Sequence, residues 1–155
     1  MKVPEMDHID KKLIRLLQEN ARYSLKQLSE RVYLSSPAVS ARIEKLERDG
    51  VINGYHANAD LDKMGYHITV FVNIEMSPKQ KPAFIDFIRE IPNVLECNIV
   101  SGNYTMLIKA AFPSTVDLDR FIGQVQRYGA TETRIVFSTP VPARGILIPD
   151  SEEEQ

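Results

Sequence analysis

The sequence predicts an α+β chain of two small units. A three-helix unit covers residues 1–54, a ferredoxin-like βαββαβ unit covers 66–142, a linker spans 55–65, and 143–155 form a C-terminal tail. Three observations predict this. Apolar residues recur at helical spacing through the first third of the chain. From residue 66 the apolar period switches to two, and strand and helix patterns then alternate. The length of 155 residues suits two units of roughly 50 to 90 residues each.

The first helix opens after Asp7, a plausible N-cap, and carries Ile9, Leu13, Leu16 and Leu17 on one face. Asn20-Ala-Arg-Tyr breaks the pattern. Ser24-Leu-Lys-Gln27 has the form of a capping box, in which cap and N3 side chains satisfy each other's backbone donors. It opens a short helix with Leu25, Leu28 and Val32 on one side. Tyr33-Leu34-Ser35 is a tight turn into a third helix, with Ser35 or Ser36 as cap and Pro37 in the first turn. That helix runs to Asp49, and Gly50 is the expected C′ residue. Turn signals at Asn53-Gly54 and Gly65 bound the connector.

Tyr66–Met76 alternates as a half-buried strand, with Ile68, Val70, Val72, Ile74 and Met76 on one face. Phe71 is the one large apolar residue on the other. Pro82 starts a helix bearing Phe84, Phe87, Ile88 and Ile91. Val94–Val100 and Tyr104–Ala111 read as strands joined at Ser101-Gly102-Asn103, a hairpin signal. Leu118, Phe121, Ile122 and Val125 mark another helix, and Thr131–Ser138 the last strand. The order is that of the split βαβ unit. Its helices cover one face of the sheet only, so Phe71 on the other hints at a partner chain. Ser151–Gln155 is expected to be disordered.

Composition bounds the function. There are 19 Lys+Arg against 21 Asp+Glu, a net charge of −2, with 43% hydrophobic residues. That charge conceals a gradient. Residues 1–54 hold 10 basic and 8 acidic residues, and Asp150–Gln155 hold four acids and no base. A single cysteine, Cys97, excludes an internal disulfide framework and a Cys-based zinc cluster. In its predicted strand it is expected to be a buried small hydrophobe. His8, His56 and His67 lack metal-ligand spacing. No catalytic residues, metal or cofactor are expected. The start of the chain has no apolar run of the signal-peptide kind, and nothing approaches the roughly 18 apolar residues of a membrane helix. A cytoplasmic protein is expected.

The second and third helices with their short turn fit a helix-turn-helix. At about 100° per residue, with Val39 at zero, Ile43 and Leu46 fall within roughly 40° of it as the buried stripe. Ala38, Ala41, Arg42, Lys45 and Arg48 occupy an arc from about 180° to 300°, while Ser40, Glu44 and Glu47 lie on the other flank. One exposed flank is small and basic, the other acidic. Small residues admit a helix to base edges, where Arg or Lys reaches guanine or phosphate. Recognition helices contact bases mainly through their N-terminal residues. Ser36, Ala38, Ser40, Ala41 and Arg42 are therefore expected nearest the bases, and Lys45 and Arg48 on phosphate. An ordinary solvated amphipathic helix carries similar charges. The capping box, short turn and preceding helix favour DNA.

Leu34-Ser35 with Val39, Arg42-Ile43, Leu46-Glu47, Gly50-Val51-Ile52 and Gly54-Tyr55 resembles the helix-turn-helix of the Lrp/AsnC (feast/famine) family. Asp7-His-Ile-Asp10 with Ile14 and Leu17 matches that family's first helix, and Ser101-Gly102-Asn103-Tyr104 its glycine–tyrosine hairpin. The resemblance covers about residues 5 to 142. It implies a sequence-specific, DNA-binding transcriptional regulator modulated by a small amino-acid effector. It implies homodimers formed through the C-terminal sheets and often assembled into octamers or other higher oligomers, with effector bound between dimers. Carried over, the effector residues are Gly102, Asn103, Tyr104 and Thr105 of the hairpin, Thr131, Glu132 and Thr133 of the last strand, and Gln124 of the adjoining helix. Many members have Asp after the hairpin aromatic, where this chain has Thr105. The asparagine-type members look closer, and Glu132 could supply the acid for an effector's ammonium group. Backbone N–H groups near Gly102 suit a carboxylate. An effector-independent architectural DNA-binding protein, and more distantly a small ferredoxin-like enzyme, are the alternatives.

Overall fold

The computed structural model describes residues 4–149 and divides into two compact units: residues up to Ala57 together with the segment from Val141, and Asn58–Pro140. The tail thus groups with the helical unit. There Gly145 lies so close to Gln18 that a β-carbon would run into its side-chain amide. The acidic end of the tail lies outside the described residues.

In the first unit, helix α1 spans His8–Glu19, α2 Leu25–Val32 and α3 Ser36–Arg48. Each start follows from its side chains. Asp7 and Asp10 form a reciprocal box, each carboxylate accepting from the other's backbone N–H at 2.8 and 3.2 Å. Ser24 and Gln27 do the same for α2, and Ser35 caps α3 through the N–H of Ala38. Helix α3 stops at Gly50 (φ 70°), the left-handed position that glycine occupies without penalty. The end of α2 is different. Tyr33 caps it at φ 56°, ψ 41°, a conformation that costs an L-residue about 1–2 kcal/mol. Leu13, Leu28, Val32 and Val39 form the core, with Ile9, Leu16, Leu17, Tyr23, Leu34 and Ile43 packed around them. Leu25 stays exposed, although its spacing put it on the apolar side.

The second unit comprises β1 Ile68–Glu75, α4 Lys81–Arg89, β2 Val94–Ile99, β3 Met106–Phe112, α5 Thr115–Val125 and β4 Ala130–Ile135. The sheet is antiparallel with order β2-β3-β1-β4. Val70, Val72, Ile74, Ile108 and Ala110 on one face pack with Phe84, Ile88, Leu118, Phe121 and Val125 of the two helices. A β-carbon on Gly129 would strike the carbonyl of Glu75, so only glycine lets β4 start against β1 here.

Two expectations are corrected. The hairpin between β2 and β3 is longer than three residues. Tyr104 and Thr105 precede β3, because the N–H of Thr105 donates to Ile74 of β1 and that of Val100 closes on Thr105. Cys97 is exposed rather than buried. It lies opposite Ile108, but on β2, an edge strand of the sheet.

Candidate functional site

The outer arc of α3 is the first candidate surface. Val39 and Leu46 are buried and Ile43 is packed on the core, which turns Ala41, Lys45 and Arg48 to solvent and leaves Ala38 half-buried. Among the described residues neither Lys45 nor Arg48 has an acidic partner within ion-pair distance. On the other flank Ser40 donates to Glu44 at 3.0 Å, and Ser36 meets Ser29 at 3.4 Å. A small, basic, unpaired strip therefore stands beside a side chain pair that is already engaged.

Arg42 is placed differently from its neighbours. Its Nη1 donates to Asp10 at 2.7 Å and to Asp7 at 2.8 Å, joining α3 to the cap of α1. Asp10 is 4% exposed, so its charge sits almost out of water. The N–H of Asp10, followed by the Arg42 guanidinium, holds the Asp7 carboxyl below its ordinary range, and the two carboxylates raise the Arg42 pKa further. The sequence marks Asp7 only as a helix cap and Asp10 only as part of the family's first-helix pattern, and neither reading shows this bond. The signal was Arg42 itself, the member of the basic arc nearest the buried stripe, about 40° from Leu46. Beyond α3, Tyr55 donates to Glu47 at 2.7 Å. Desolvation, then the Glu47 carboxylate, pushes the Tyr55 pKa up to about 12.

The hairpin and last strand form the second candidate site. Gly102 turns the hairpin at φ 107°, and Gly102 and Asn103 are exposed. Tyr104 donates to Glu132 at 2.6 Å, and Arg134 donates to the same carboxylate at 2.7 Å. The Tyr104 hydroxyl and then Arg134 keep Glu132 below its usual pKa, with a contribution from the Asn73 amide. The carboxylate in turn raises Tyr104. Asn73 is 7% exposed and pairs across from Glu132, a partner the sequence did not point to. Thr105 shares its hydroxyl with the backbone of Met76.

Strand geometry separates the other residues. Thr131 and Thr133 pair with the buried Ile74 and Val72, so they share the helix-covered face, whereas Glu132 faces the open one. Thr131 accepts from Gln126, and Thr133 lines an open groove of about 540 Å³ beside α5 with Val116 and Ile122. Gln124 lines a different groove, of about 330 Å³, with Tyr66, Ile91 and Phe121. Within one chain the eight residues do not converge: Tyr104 and Glu132 meet beside the hairpin on the open face, Thr133 and Gln124 line two separate grooves on the helix side, and Thr131 bonds to Gln126. The open face itself carries Phe71, Asn73, Leu107, Lys109, Glu132 and Arg134, with the Lys109 ammonium 5.9 Å from the Phe71 ring centre.

Residues 6–53 match the family model for winged helix-turn-helix DNA-binding domains, and residues 69–146 that for the Lrp/AsnC ligand binding domain. The HTH-type transcriptional regulator LrpA of Bacillus subtilis is 33% identical, over 84% of this chain and 97% of the relative. AsnC of E. coli superimposes with a TM-score of 0.83 at 26% identity, covering 92% of this chain and 99% of AsnC. A transcriptional regulator of Neisseria meningitidis, solved as a complex with L-Met, shares the fold at a TM-score of 0.85 and 24% identity, over 93% and 97% of the two chains.

Proposed function

Since this chain belongs to the Lrp/AsnC family of DNA-binding transcriptional regulators, we propose that it answers to an amino acid and meets DNA as a homodimer or a larger assembly. The observation that carries the DNA half is the strip of Ala38, Ala41, Lys45 and Arg48, small enough to approach base edges and free of acidic partners. Ala38 and Ala41 lie nearest the bases, with Ser36 at the helix entry, and Lys45 and Arg48 on phosphate. Ser40 takes part once it leaves Glu44. Arg42, engaged by two carboxylates, serves chiefly to set the angle of α3 on α1. Two-fold pairing predicts a palindromic operator with half-sites about one helical turn, or a multiple of it, apart.

The effector half rests on the ligand-binding domain the family shares, together with the exposed Gly102–Asn103 turn, whose N–H groups suit a carboxylate. Thr105 adds a hydroxyl. Thr131, Thr133 and Gln124 join from a second chain, because in their own chain they lie on the opposite face of the sheet. Glu132 is already held by Tyr104 and Arg134, so it shapes the open sheet face, and the effector's ammonium group finds its acceptors elsewhere. In this mechanism the sheet faces pair two chains, and an amino acid between dimers shifts the assembly by no more than its preference for one state. Regulators of this kind work where the chromosome is, in the cytoplasm of a bacterial or archaeal cell.

The test is a thermal-shift scan of the full chain with the twenty amino acids at millimolar concentration. A ligand that prefers the native assembly raises its melting point. One or a few amino acids that do so, with the shift abolished in Gly102→Asp, support the proposal. A flat scan favours an effector-independent architectural role.

A further inference from the structure

The turn that delivers α3 contains the one strained non-glycine residue among the described residues, Tyr33 at φ 56°. Glycine would occupy that position without penalty. The side chain that bears the strain gains nothing from packing, because Tyr33 is 88% exposed and lies outside the core cluster of its unit. Its ring lies 5.8 Å from the Lys12 ammonium of α1, and Ser35, two residues on, caps α3. Backbone strain of this kind persists where function requires the side chain and the surroundings fix its conformation. A tyrosine hydroxyl beside a lysine, at the entrance to a DNA-reading helix, is chemistry that DNA phosphates accept.

We propose that Tyr33 is a DNA contact: its hydroxyl donates to a backbone phosphate beside the groove that α3 enters, with Lys12 paired to the same or the next phosphate. This rests on the reading of α3 as the DNA helix. The left-handed backbone of Tyr33 directs the ring away from the core, and the Lys12 contact restricts its swing. The contact fixes the register of the helix on the duplex and reads no base.

The strain makes the test sharp, because stability and binding should move in opposite directions. Full-length wild type, Tyr33→Gly, Tyr33→Phe, Lys12→Ala and the control Lys45→Ala are titrated with a short mixed-sequence duplex at several salt concentrations. Tyr33→Gly should slow amide exchange in α2 and α3 about three- to five-fold, as relief of strain outweighs the greater freedom glycine has in the unfolded chain, and should weaken DNA binding about ten-fold. Tyr33→Phe should lose most of that affinity without the gain in stability. A neutral hydroxyl releases no counterion, so neither variant should change the salt slope, whereas Lys12→Ala and Lys45→Ala should each reduce it by about one. If Tyr33→Gly stabilises the helices and binds DNA like wild type, the proposal is wrong and the exposed ring serves another partner. If wild type fails to bind the duplex at low salt, the reading of α3 falls instead.

Discussion

Replacing Arg42 by alanine tests whether this residue holds the helical unit together or reads DNA. The substitution leaves Asp10, 4% exposed, with a carboxylate that has lost its cation. Removing one partner from a fully buried pair costs about 3–5 kcal/mol, and an exposed pair contributes about 0–1 kcal/mol. The present pairs lie between these limits. The side chains of Arg42 and Asp7 are 31% and 47% exposed, and that of Asp10 only 6%. Asp10 also keeps its bond to the N–H of Asp7. The Asp10 contact is therefore assigned about 2 kcal/mol and the Asp7 contact well under 1. The expected loss is about 2–3 kcal/mol, or roughly 30- to 150-fold in the opening equilibrium of the helical unit. Amide exchange in α1 and α3 reads this directly, without assuming that both units melt together. Asp10→Leu with Arg42→Met, which removes both charges, should recover most of the loss. A change below about 0.5 kcal/mol in Arg42→Ala, with DNA binding lost, would refute the assignment and return Arg42 to the base-reading set.

The remaining predictions concern other parts of the chain. Phe71→Asp should dissociate the proposed homodimer in sedimentation experiments while leaving the far-ultraviolet spectrum intact; an unchanged sedimentation coefficient would remove the open sheet face from the interface. Tyr55 should ionise near pH 12 in an ultraviolet difference titration against Tyr55→Phe. Because folding favours its neutral form, its contribution to stability is complete below pH ~10 and is lost as pH rises toward its folded pKa. Glu47→Gln should return the titration part of the way, since desolvation is the larger cause. Gly129→Ala should cost about 1–3 kcal/mol as β4 is pushed from Glu75, and wild-type stability in denaturant would contradict the close approach.

Much of the architecture was legible because local signals agreed with each other. Ser24 and Gln27, and Pro37 with Ser35, mark helix starts by satisfying or removing backbone donors, Gly50 marks an end by adopting the left-handed turn, and those rules act within four residues. The alternation from Ile68 to Met76 likewise separates the buried face from the face that bears Phe71. What the sequence left unreadable depends on contacts distant along the chain. Arg42 meets Asp7 and Asp10 more than thirty residues away, and a helical wheel of α3 alone cannot show which exposed-looking cation has a partner. The resemblance carries over Thr131, Glu132 and Thr133 together, yet a strand sends neighbours to opposite faces, and period two alone separates Glu132 from the two threonines. Cys97 was misjudged because alternation cannot tell an edge strand from a central one. Tyr33 gave no signal, since its backbone conformation is visible only in the folded turn.

The most direct measurement is the affinity of the full chain for a duplex enriched from a random pool, with and without the amino acid that raises its melting point. Salt-dependent binding to a palindromic sequence, with an affinity or stoichiometry that shifts when the amino acid is added and does not shift in Gly102→Asp, is the predicted result. Binding that enriches no sequence, or that every amino acid leaves unchanged, would contradict a regulator governed by an amino acid.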